Sequence, residues 1–377
     1  ATRSGAGSAV SDLPSEETPA LPTIPVSQWA SVKTFGAIEN DNLDDTAAVQ
    51  AALSSGAPVV YFPTGTYYIS QPLLVGPNVK RIEGLKSAIR QNAPLAMERG
   101  GLLVIPPGSQ PVVHISGLNG SFEGPGGSNA VWVEHATANT LVIRDGDLGA
   151  YRNTVPGGKV FLENLVGNGM VFTGQRVWAR QLNPEGATIT KVINDGGDFY
   201  CLGLKTEGDG TVLETRNRGR SVVMGGLIYP AQTVVDRTQP MFINDESSLS
   251  FSVPESCYST DAFYAVWCRE IRSGVTTDFT RAMLPLGRGH SVCGGNLSLY
   301  NGAIPDSSPP STPATINVTN STPTSITIAW GASSDPQSGL ARYNIYRDNL
   351  FWRSVMAGTL SVSDDRLRDP ETHAYTV

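Results

Sequence analysis

The sequence predicts an all-β chain whose larger part is a parallel β-helix. Three observations lead there. With 40 Gly and 26 Pro among 377 residues, the chain suits many short strands broken by turns. The segment GQRVWARQLNPE (174–185) recurs as GGDFYCLGLKTE (196–207), so that Gly174, Leu182 and Glu185 return 22 residues later as Gly196, Leu204 and Glu207. A period of about 20–30 residues holding several short strands is one coil of a solenoid. A looser echo, GRSVVMGGLIYP, follows at 219–230. Finally, residues 32–70 carry one short helical pattern between strand patterns, with Val49, Ala52 and Leu53 on one helical face.

In chain order, residues 1–28 are rich in Ser, Pro and Glu and start at Ala1 without Met. They read as a flexible N-terminal lead-in behind a removed signal peptide. Residues 29–303 form the β-helix. Its first segment reads as a strand at 32–35, Gly36, and an acidic loop ending in Asp44-Asp45-Thr46. Asp44 or Asp45 can accept hydrogen bonds from the free N–H groups at the start of the short Ala-rich helix. A strand at 58–62, the turn Pro63-Thr64-Gly65-Thr66 and the run Tyr67-Tyr68-Ile69 follow. Residues 304–312 (IPDSSPPST) are a Pro/Ser linker. Beyond it, 313–377 alternate as half-buried strands, with Tyr343, Ile345 and Arg347 on one face and Asn344 and Tyr346 on the other.

Two resemblances attach to these segments. Residues 32–70, VKTFGAIENDNLDDTAAVQAALSSGAPVVYFPTGTYYIS, resemble the N-terminal cap of the pectate-lyase-like right-handed parallel β-helices. The usual Gly-Asp-Gly is replaced by Glu39-Asn40-Asp41-Asn42-Leu43. That broad family includes exo-β-1,3-glucanases of glycoside hydrolase family 55, polygalacturonase relatives of family 28, lyases and phage tailspikes, many of them secreted by bacteria. The resemblance implies a short N-terminal capping helix and a polysaccharide-facing protein. It does not choose a reaction. The segments SITIAW and DPQSGLARYNIYRDN are similar to a bacterial fibronectin type III module. The small β-sandwich so implied is truncated, with THAYTV as its penultimate strand and the last one missing. It implies a spacer or attachment module without catalysis.

Composition narrows the function. Charged residues make up 16% of the chain and the net charge is −7. No basic stripe for nucleic acid is evident, and no apolar run is long enough to insert in a membrane. Cys201, Cys257, Cys268 and Cys293 lack the CxxC spacing of a zinc site. A disulfide among the last three suits an exported protein, as do buried free thiols. The expected location is extracellular or at the cell surface. The oligomeric state is open.

The repeat itself supplies the candidate site. Stacked coils place equivalent residues about 4.8 Å apart, and residues two apart on a strand share a face. Glu185 therefore stacks beside Glu207, and Asn183 beside Lys205. If Glu163 is in register, it extends the carboxylates to a ladder of three. Like charges so close raise one carboxyl pKa or share a cation. Such a pair suits glycoside hydrolysis, with Glu207, Glu185 and Lys205 as the catalytic set. Arg176, Trp178, Arg180 and Asn183 are the substrate-binding candidates, because an aromatic ring flanked by Arg suits a sugar ring bearing an acidic group. No cofactor is required and no metal ligands are assigned, although the carboxylate pair could hold Ca²⁺. Structural readings compete at each position: corner ladders for the glutamates, an outer-wall Trp packed under a loop for Trp178, and turn roles for Asp195 and Asp198 around Gly196-Gly197. His135 beside Glu134, and His290, are weaker acid–base candidates. The reading favoured is a glycoside hydrolase acting on a polysaccharide or oligosaccharide. The alternatives are a uronate lyase, with Ca²⁺ or Arg neutralising the substrate and Lys205 or Arg180 taking the proton, and a non-catalytic glycan-binding scaffold.

Overall fold

A computed structural model describes residues 2–4, 13, 15–91, 102–120, 131–147, 149–186, 190–228, 230, 239–256, 263–283, 296–304, 308–335, 340, 342–365, 367 and 372–377. The chain divides into two compact units, 1–303 and 304–377. The larger is a parallel β-helix with two long sheets. One sheet is built on β1 (Arg81–Gln91), β2 (Val112–Gly120), β3 (Thr140–Asp147), β4 (Lys159–Gly167), β5 (Arg176–Pro184), β6 (Asp198–Thr206), β7 (Arg220–Ile228) and β8 (Ser248–Glu255). Each pairs in parallel with the next. The second sheet stacks shorter strands, among them Ala150–Asn153, Met170–Thr173, Val192–Asp195 and Leu213–Arg216, also in parallel.

Alternation explains the core. Along β5, Val177, Ala179 and Leu182 point inward and are buried, and their register partners Phe199, Cys201 and Leu204 do the same on β6. Between Ala179 and Leu182 the strand bends at Gln181, whose φ is +55°. The same row in neighbouring strands holds Asp145, Asn164, Gly203 and Gly225, all with positive φ. Short polar residues and glycine tolerate that conformation best, and Asn164 donates to Asp145 at 3.0 Å across the row. The bend folds each long strand onto two walls of the solenoid and fixes where the residues after it project.

The N-terminal end is closed by α1 (Thr46–Leu53), which buries Val49, Ala52 and Leu53. One local expectation changes, and the choice between Asp44 and Asp45 is made. Residues Val32–Phe35 are a 3-10 turn, and the strand lies just before it at Trp29–Ser31, because the chain must reverse at Gly36 (φ +101°) to reach the cap. Asp44, not Asp45, accepts from the helix, at Thr46 N (3.0 Å). Asp45 instead clamps Ile38 N and Tyr68 N at 2.9 and 3.1 Å, pinning the cap to the following strand.

Described residues of the lead-in lie against the β-helix. Leu13 is buried with Val222 and Ala303. Glu16 pairs with Lys159 (2.5 Å), and Thr18 donates to Glu163 and accepts from Arg180 (3.0 Å). An apolar row on the outer face of the sheet, Val142–Phe161–Trp178, explains why a cover is needed there.

Cys201 and Cys268 are buried free thiols; Cys257, Cys293 and His290 lie outside the described residues. In the second unit, the strands Ile316–Thr322, Ser325–Trp330 and Arg342–Arg347 form where alternation predicts them, around a core of Ile328, Trp330, Tyr343 and Ile345. Tyr375–Thr376 pairs beside Arg342–Arg347. Part of the DPQSG segment, 336–339, is outside the described residues.

Candidate functional site

The residues following the bend carry the candidate site. Leu182 pairs with Leu204, so Asn183 and Lys205 are the next outward pair, and Glu185 and Glu207 follow on adjacent coils. The ammonium of Lys205 lies 2.5 Å from Oε1 of Glu185 and 2.5 Å from Oε1 of Glu207. Those two oxygens are therefore no more than about 5 Å apart. Asn183 Nδ2 also donates to Glu185 Oε1 at 2.8 Å. The three charged side chains remain between a third and two-fifths exposed. Burial works against the charge of Lys205, but its hydrogen bonds and attraction to both glutamates outweigh that and leave its pKa raised.

Beside this cluster runs an open groove of about 490 Å³, lined by Asn164, Gln181, Asn183, Gly203, Lys205 and Leu227 among others. Its floor follows the bend, where Gly203 and Gly226 present bare backbone. A side chain at Gly226 would collide with Leu204 O at 2.1 Å, so this part of the floor must stay glycine. Asn183 and Lys205 belong to the groove wall. Glu185 and Glu207 stand just beyond it, reached through Lys205.

A further carboxylate escaped the sequence reading. Asp147 stands on the outward row Asp147–Val166–Asn183. Its pKa is raised, first by burial and then by the negative charge of Glu185. Its Oδ1 is buried with no hydrogen-bond partner. Nothing local in VIRDGDLG marks it; only the register two coils along does.

Several expectations are corrected. Glu163 does not join the carboxylate ladder, because its register partners are Arg144 and Arg180. The coil from β4 to β5 is shorter than the repeat, and the shift puts Glu163 before the bend rather than after it. Arg176, Trp178 and Arg180 do share the outward face, but it is the wall before the bend. Trp178 is 3% exposed and stacked on Phe161 at 4.9 Å, so it is not an open sugar platform. Arg180 is committed to the lead-in through Glu16 O (2.6 Å) and Thr18. Arg176 stays largely exposed, 3.9 Å from Asp198. The Lys205 ammonium lies between the two glutamate oxygens that it binds. His135 is fully buried in a network with Tyr151, Gln175 and Asn139, and burial lowers its pKa. Asp195 and Asp198 hold Arg216 and Arg220 on the next coil. Among the described residues, no group of three or more His, Cys, Asp or Glu is disposed to hold a metal, and no helix is long and apolar enough to cross a membrane.

The fold and site thus define a parallel β-helix with an open groove along one bend. Comparison with known proteins adds the following. Residues 29–82 match the rhamnogalacturonase A/epimerase, pectate lyase-like family. A chitinase, Chi52 of Paenibacillus xylanexedens, is 37% identical over 73 residues, which is 19% of this chain and 13% of that protein. The chain therefore spans a small part of that relative. Among solved structures, PfbA, a surface adhesin of Streptococcus pneumoniae, is similar with a TM-score of 0.37 and 10% identity over 66% of this chain and 94% of that one. ORF18 of Geobacillus virus E2 gives a TM-score of 0.31 and 13% identity over 83% of this chain and 74% of that one.

Proposed function

We propose that this protein is an extracellular glycoside hydrolase acting on a neutral polysaccharide in the groove beside Lys205. One observation carries the reading. Two carboxylates on adjacent coils meet at one ammonium, no more than about 5 Å apart between the oxygens that it binds. That spacing suits a retaining hydrolase, in which one carboxylate of the pair attacks and the other protonates the leaving oxygen. Glu185 and Glu207 are equivalent toward Lys205, which holds each at 2.5 Å. Asp147, whose pKa is raised by burial and by the charge of Glu185, is a further candidate for the acid role. The pectate lyase-like match at the cap and the chitinase relative support a polysaccharide as substrate.

The charge pattern favours a neutral sugar over a uronate. Lys205 is the cation among the residues lining the groove, and two carboxylates already neutralise it. Its raised pKa also makes it a poor base for the C5 proton of a uronate. The second unit, read as a fibronectin type III-like module, serves attachment or spacing. A panel of neutral and acidic polysaccharides tests the proposal, assayed for new reducing ends and for unsaturated product, with and without chelator. Reducing ends from a neutral glycan, unaffected by chelator, are expected. Unsaturated product from a uronan would establish the lyase instead, and neither product would leave a binding scaffold.

A further inference from the structure

Beneath the carboxylate pair, on the inner side of the solenoid wall, lies a lysine that the mechanism above does not use. Lys191 precedes the strand Val192–Asp195, and its side chain is fully buried. Its ammonium donates to Thr206 Oγ1 (2.7 Å), Glu207 O (2.6 Å) and Gly208 O (3.2 Å). Thr206 Oγ1 in turn donates to Pro184 O at 2.5 Å. Pro184 immediately precedes Glu185, and Thr206 immediately precedes Glu207.

We propose that Lys191 is a positioning residue for the carboxylate pair: an ammonium sealed inside the solenoid that ties together the two backbone segments from which Glu185 and Glu207 project. The proposal rests on the reading of those carboxylates as the working pair. The stoichiometry supports it. An ammonium has three N–H donors and finds three acceptors, whereas a neutral amine would leave one acceptor short. The acceptors come from one turn, 206–208, so the lysine determines where Glu207 leaves the wall. The hydroxyl relay through Thr206 extends the same hold to the coil of Glu185. Tyr264 braces the turn from the other side, donating to Gly208 O and Gly210 O at 3.1 and 2.6 Å.

The arrangement costs stability. Burial pushes the Lys191 pKa down to about 7, opposed by Asp209, Glu185 and Glu207 and reinforced by Lys205. Tyr264 and the buried Glu255, paired with Arg281, are the other titratable groups on this side. An apolar residue would fill the core without a desolvation cost. A lysine here makes physical sense if the turn must be held in one place.

The test uses the full chain with carboxyl-labelled glutamate, comparing wild type, Lys191→Met and Lys191→Arg. Three measurements are made: NMR titration of the Glu185 and Glu207 carboxyls, the melting temperature, and reducing-end release from the best substrate. In folded Lys191→Met both titrations should move and turnover should fall about 10- to 100-fold, the scale on which small misplacements cost rate. Lys191→Arg, which keeps a cation and donors, should restore part of both. If Lys191→Met does not fold, Thr206→Val removes the relay to Pro184 and should move the Glu185 titration. Unmoved titrations in a folded variant overturn the proposal. If wild type releases no reducing ends, the hydrolase reading fails, and the titrations still decide the role of Lys191.

Discussion

The ammonium of Lys205 sits 2.5 Å from the carboxylate of Glu185, a residue 20 positions earlier in the chain. Only the stacking of consecutive coils brings them together. Because the same ammonium holds Glu207, one cation organises two carboxylates at the edge of an open groove.

Removing that cation should expose the repulsion it masks. In Lys205→Met, one of the two carboxyls should titrate at higher pH than in wild type. Carboxyl NMR reads this directly. The melting temperature should change little, because partly exposed ion pairs contribute less than about 1 kcal/mol. A large loss of stability with unmoved titrations would make the pairs purely structural.

Asp147→Asn tests the acid assignment. If Asp147 donates the proton, activity in wild type falls as pH rises through its raised pKa, and the variant should lose most activity together with that basic limb. Stability should move the other way. A carboxyl whose folded pKa is raised destabilises the fold once pH exceeds its unfolded value, so the variant should melt higher than wild type at pH 7. Retained activity with an unchanged pH profile would remove Asp147 from the mechanism.

His114 predicts an acid-sensitive window. It is 2% exposed, and burial, with Arg144 and Arg81 nearby, pushes its pKa down from 6.5 to about 4. Above pH 6.5 both folded and unfolded states are neutral there. As pH falls from 6.5 toward 4, the unfolded chain takes up the proton and the fold does not, so stability falls by up to about 3 kcal/mol and then levels. Melting curves of His114→Leu should lack this part of the slope. Parallel pH dependence in variant and wild type would contradict it.

The lead-in should behave as a cover. Removing residues 1–25 should uncover the Val142–Phe161–Trp178 row, shift tryptophan emission to the red and raise binding of a hydrophobic dye. High salt should do so partially in the full chain, through the exposed Lys159–Glu16 pair. Unchanged emission after truncation would mean that the row is covered otherwise.

The sequence carried the fold in the coils of equal length. From β5 to β6 and from β6 to β7 the register advances 22 residues, as Arg176, Asp198 and Arg220 show, and there the repeat was legible. From β4 to β5 it advances 17, as Lys159 and Arg176 show, so a fixed period misplaced Glu163. Loops at the corners absorb such differences without disturbing the sheets. Asn183, Glu185, Lys205 and Glu207 followed from the repeat and strand alternation alone. Alternation put Trp178 on the outer face and left a sugar platform and an outer-wall Trp packed under cover both open; its burial against Phe161 decides for the second. Asp147 and Lys191 carry no local signal; one acts through register and the other through an inward corner that a polar residue seldom occupies.

The most direct test of the central claim is reducing-end release from a neutral polysaccharide by wild type, Glu185→Gln and Glu207→Gln, with melting temperatures measured alongside. The account predicts turnover by wild type, a loss of about 10²-fold or more in each variant, and melting temperatures close to wild type. Full activity in both variants would place the chemistry elsewhere on the solenoid. Loss of activity together with thermal stability would make the carboxylate pair a structural ladder.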